Sequence, residues 1–157
     1  MKIARVFGPA LMLGLAVPAV GQEIKPSTGA TAALEAKFGE MMQGASLSGY
    51  FTVAGQKEAV PQSENYHVSK IEKLDGGRWL FTARMEFGGR DVTLPMPFEV
   101  AWAGDTPVIT LTDQEIPGLG TFTARVLIYG DRYAGTWQHG RAGGHMWGKV
   151  EKTTPER

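Results

Sequence analysis

Trp137, His139, His145 and Trp147 lie in YAGTWQHGRAGGHMWGKV, where two imidazoles and two indoles flank a glycine-rich break. If the chain turns back about Arg141-Ala142-Gly143, His139 opposes His145 and Trp137 opposes Trp147, with all four on one face. Two facing imidazoles could share a metal ion, or repel one another when both are protonated. Zinc normally takes four ligands, and no further donors stand nearby in the sequence, so no metal is expected. The plainer reading is a structural pair near the rim of the fold with the tryptophans packed below. A third reading lets this aromatic and imidazole rim touch a ligand.

Two arginines pose the next question. The word FTAR occurs twice, at Phe81–Arg84 and Phe122–Arg125. On a strand each copy puts Phe and Ala on one face and Thr and Arg on the other. Outward, Arg84 and Arg125 join solvated charges such as Glu86; inward, a guanidinium could grip a carboxylate or phosphate with two parallel hydrogen bonds. The residues after each copy diverge at once, so the repeat reads as two strands obeying the same local rules. Asp113 and Glu115 could form an acid–base pair, but a strand-end pair of this kind is ordinarily solvated. His67 reads as ordinary surface. No GxSxG, HExxH, phosphate-cradling glycine loop or cysteine is present, so no catalytic residue or cofactor is expected.

The elements that must position these side chains are mostly strands. ATAALEAKFGEMMQG carries Leu34, Phe38, Met41 and Met42 as one apolar helical stripe, ended by Gly44. From Ser46 the period becomes two. The alternation has no break from Val92 through Leu94, Met96, Phe98 and Val100 to Trp102. Glycine-rich separators such as DGG, GG, AGD, PGLG, GD and GRAGG divide eight strands with no helix between them. Short links make sequential strands antiparallel neighbours, and such a sheet closes to remove its edges. The expected fold is therefore all-β: an eight-stranded antiparallel up-and-down barrel preceded by one short helix, with an open sandwich as the competing arrangement. Pro95 and Pro97 cannot donate to a ladder, so the fourth strand is expected to be bulged or unpaired along one side.

Composition narrows the setting. Lys2 and Arg5, an apolar run too short to span a bilayer well and Ala19-Val20-Gly21 read as a secretory signal, residues 1–21, giving a periplasmic or secreted protein. Residues 22–29 read as a flexible lead-in, 30–152 as the helix and barrel domain, and 153–157 as a tail. Removing two of the 16 basic residues leaves 14 against 16 acidic ones, with no basic cluster, so nucleic acid is not an expected partner. No later segment is apolar enough for a membrane span. With no cysteine, a hydrophobic core must supply the stability.

The C-terminal half, WAGDTPVITL through IPGLGTFTARVLIYGDRYAGTWQHG to GGHMWGKVEK, resembles a family of exported, uncharacterised bacterial proteins. In architecture the chain resembles the lipocalin-like group. The first-strand Gly-x-Trp of that group would fall at Gly49-Tyr50-Phe51, with Phe in place of Trp. The resemblance implies a barrel that binds a small apolar or amphipathic molecule. Trp79, Phe81, Met85, Met96, Phe98 and Trp102 would line such a lumen, with Arg84 or Arg125 as an anchor. The alternative is a module that binds a protein partner, as a small-barrel inhibitor of a secreted protease does. A cavity of several hundred Å³ supports the first reading and a filled core the second.

Overall fold

The computed structural model describes residues 28–55 and 60–152. The expected signal segment, the lead-in through residue 27 and the 153–157 tail lie outside these. One helix, α1 (Thr28–Met42), precedes eight strands: β1 (Ala45–Phe51), β2 (Gln62–Lys73), β3 (Arg78–Phe87), β4 (Arg90–Ala103), β5 (Thr106–Ile116), β6 (Gly120–Tyr129), β7 (Arg132–His139) and β8 (Ala142–Lys152). Each strand pairs with the next, and β8 pairs with β1, closing the up-and-down antiparallel barrel that the alternation predicts.

Turn chemistry sets the registers. Phe87 pairs with Arg90, Ala103 with Thr106, Tyr129 with Arg132 and His139 with Ala142, so four hairpins turn in two residues. Gly88 and Gly89 both have positive φ, as a turn matching the right-handed twist of its strands requires. α1 ends at Gly44, whose φ of 68° suits a residue without Cβ, and its N–H donates to the Val68 carbonyl.

The stripe on α1 plugs one end of the barrel. Phe38 and Met42 are buried, each 1% exposed. The Phe38 ring meets Trp79 edge-on at 5.3 Å, Phe81 at 6.1 Å and Trp102 at 6.2 Å. Even-numbered residues of β4 from Val92 to Trp102 turn inward, as their alternation predicts.

The fourth strand shows what its prolines do. β4 pairs with β3 over ten residue pairs, from Arg78–Glu99 to Phe87–Arg90, but with β5 over only five, from Glu99–Thr110 to Ala103–Thr106. The Val100 N–H donates to Gly77, on the β3 side, so odd-numbered β4 amides point toward β5. Pro95 and Pro97 are odd and have no N–H, and they stand where the β4–β5 ladder is missing. β5 bulges between Leu111 and Gln114, where Asp113 takes a positive φ of 47°.

Candidate ligand-binding lumen

Above the helix plug the barrel is hollow. A cavity of about 310 Å³ is walled by inward side chains including Leu47, Val68, Phe81, Ala83, Met85, Met96, Phe98, Ile109, Val126 and Met146. It runs to the end of the barrel opposite α1, where Phe51, Phe87, Arg90, Leu119, Phe122, His139 and Ala142 border it. Arg90 and His139 are exposed to solvent at this rim.

One charged side chain lies within this apolar wall. Glu64 is 2% exposed and accepts hydrogen bonds from the Tyr133 hydroxyl at 2.7 Å, on Oε1, and from the Tyr66 hydroxyl at 2.8 Å, on Oε2. Tyr66 is two residues along β2 and therefore on the same face. Tyr133 comes from β7 and must cross β8 and β1. The registers explain how: Tyr133 pairs with Gly148, Gly148 with Gly49, and Gly49 with Glu64, one row across four strands. The phenol lies over the two glycines. A Cβ on Gly148 would stand 2.6 Å from its Cε1, and one on Gly49 would stand 2.5 Å from its hydroxyl. Both glycines are therefore required by close approach rather than by a turn.

This setting reshapes the acid–base chemistry of the trio. Burial pushes the Glu64 carboxyl above its ordinary value, and the hydrogen bonds from Tyr133 and Tyr66 only partly offset that. Burial and the neighbouring carboxylate push both phenols well up, so they remain donors. The result is a fixed acceptor at the wall of a largely apolar cavity.

The sequence-derived candidates separate into four groups. Phe81 and Phe98 line the cavity, as do Trp137 and His139. Trp79 and Trp102 point inward but pack on Phe38 in the plug, not on the cavity. Arg84 and Arg125 face outward. Arg84 makes two hydrogen bonds to Asp91, at 2.9 and 2.7 Å, and an ion pair with Glu86 at 2.9 Å. That pairing holds the Asp91 carboxyl below the usual range. Arg125 binds Thr112 Oγ1 at 2.8 Å and the Leu111 and Ala124 carbonyls. Neither arginine anchors a lumen ligand.

His145 and Trp147 also face outward, which corrects the expected histidine pair. The hairpin turns at Gly140-Arg141, so His139 opposes Ala142 and His145 opposes Thr136. The odd shift from the expected register sends the two imidazoles to opposite faces. His139 stacks on Phe122 at 4.4 Å with the rings 8° from parallel, while Trp147, 39% exposed, packs beside Tyr50 at 6.4 Å. Gly144, read as part of the turn, instead lets the chain after β1 approach, since a Cβ there would collide with the Thr52 carbonyl oxygen. Thr52 N donates to His145 O and Ala54 N to Gly143 O. Among the described residues no three His, Cys, Asp or Glu side chains converge on a possible metal site. Asp113 sits at the β5 bulge, its amide and carboxylate both tied to the Thr123 hydroxyl.

Glu64, Tyr66 and Tyr133 escaped the reading of the sequence. The available signal was a carboxylate in phase with Tyr66 and Val68 on the inward face of ENYHV.

No protein-family model matches the chain, and neither a curated protein nor a solved structure matches it. The barrel is consistent with a lipocalin-like architecture, while the resemblance to exported bacterial proteins receives no support from these comparisons.

Proposed function

We propose that this protein is an exported, non-catalytic carrier that holds a small apolar or amphipathic molecule in the barrel lumen. The observation that carries the reading is the cavity of about 310 Å³ with a wall built largely from aliphatic, methionine and aromatic side chains. Ligand pockets begin at roughly 300 Å³, so the occupant is small. The basic start, apolar run and small residues at 19–21 support export. A core filled by its aromatics would have favoured a protein-binding module. Here Trp79 and Trp102 fill the helix end and leave the remainder open.

Purified protein should bind naphthalene, a small apolar probe, at one molecule per chain, read by fluorescence and by native mass spectrometry. Ala83 lies in the cavity wall, so Ala83→Phe should fill the lumen and abolish the uptake. A wild-type protein that takes up no naphthalene and retains no small molecule on purification would sink the carrier reading.

A further inference from the structure

Resting on the carrier reading, we infer that the lumen selects apolar molecules bearing a primary amine, with the Glu64 carboxyl as the acceptor that recognises them. The arginines that would have suited an acidic head are engaged outside the barrel, Arg84 with Asp91 and Glu86, and Arg125 with Thr112 and backbone carbonyls. Arg90 lines the cavity only at its exposed rim. Among the described residues, the buried charged group on the cavity wall is an acid.

The hydrogen-bond inventory gives the polarity of the site. Each tyrosine has one O–H, and both O–H groups are spent on Glu64. The ionised carboxylate has about four lone-pair positions, of which the tyrosines use two. Glu64, Tyr66 and Tyr133 all border the cavity, so what remains for a ligand is acceptor capacity. An ammonium supplies up to three donors and a compensating charge. Beside Glu64 a carboxylate head would meet like charge in a poorly solvated place, where neither tyrosine has an O–H left to give.

The construction argues against a purely structural role. A buried acid is costly, and an apolar side chain of similar volume would stabilise a barrel wall at least as well. Here Gly49 and Gly148, where a Cβ would meet both the adjoining backbone and the Tyr133 ring, leave room for a phenol from three strands away to hold the carboxyl in place. Two donors then fix the acceptor rather than neutralise it.

The test is calorimetric titration at pH 7.5 with n-octylamine, 1-octanol and sodium octanoate, with naphthalene fluorescence as the measure of an intact lumen. Wild-type protein should bind octylamine at least about tenfold more tightly than octanoate, with octanol between them. Glu64→Gln keeps groups able to meet both tyrosines and should bring the amine and acid to within about threefold while naphthalene still binds. Tyr133→Phe removes one of the two donors that hold the carboxyl in place and should weaken octylamine binding while naphthalene still binds, which provides a second variant if Glu64→Gln does not fold. Octanoate binding as tightly as octylamine, or an amine preference that survives Glu64→Gln, overturns the inference while naphthalene binding leaves the carrier intact. Loss of naphthalene binding in the wild type overturns both.

Discussion

A carboxyl taken out of water must find donors, and Glu64 finds them in Tyr66 on its own strand and in Tyr133, 69 residues away. Burial raises the folded-state pKa above the unfolded value, so the native chain holds the proton more tightly. Between the two values the native state binds more protons, and stability falls as pH rises. The favourable contribution is complete below the unfolded value, about 4.3, and is lost as pH climbs through the folded one. Chemical denaturation from pH 4 upward should show this decline in the wild type and a flatter profile in Glu64→Gln; identical profiles would mean that Glu64 is not the group responsible. Some of this scale was legible in the sequence. Alternation put Phe81 and Ala83 on the face opposite Arg84, and Phe122 and Ala124 on the face opposite Arg125, but left open which face met the lumen. The structure puts both arginines outside. The trio was not legible, because it depends on a row of partners drawn from β7, β8, β1 and β2. No local pattern says that Gly49 and Gly148, 99 residues apart, will lie side by side.

Elements were readable where backbone chemistry is local. The stripe on α1 and its glycine stop predicted the helix, and the unbroken alternation of β4 predicted its inward face. The β7–β8 register failed for an identifiable reason. Glycine at 143 and 144 looks like turn grammar, yet the turn is the two-residue Gly140-Arg141 link, of the same length as Gly88-Gly89, Gly104-Asp105 and Gly130-Asp131. Those other links were guides that the glycine cluster masked. The helix can be tested as an element. Phe38 touches three aromatic rings and is buried, so Phe38→Ala should cost roughly 3–5 kcal/mol. Glu40, exposed two residues on, should tolerate Glu40→Gln with a change within about 0.5 kcal/mol. Equal losses in urea denaturation would mean that α1 does not seal the barrel.

At the scale of the whole molecule, closure was the expected arrangement, ahead of an open sandwich, because closing a sheet of eight amphipathic strands joined mostly by short links removes its edges altogether. The hollow was not, since whether inward side chains meet across a barrel depends on tilt and stagger rather than on composition. Local stability should be uneven around the wall. The amides of Ala101 and Ala103 point into the β4–β5 ladder, whereas those of Asp91 and Thr93 face the stretch beyond it. Hydrogen exchange should therefore be slow at Ala101 and Ala103 and markedly faster at Asp91 and Thr93; uniform protection along β4 would refute this. The two prolines thus give the cylinder a zip fastened for less than half its length. That line lies away from the Tyr133–Glu64 row, whose strands are β7, β8, β1 and β2. On the carrier reading proposed above, this seam is where the wall has the fewest ladder bonds to break for a ligand to pass.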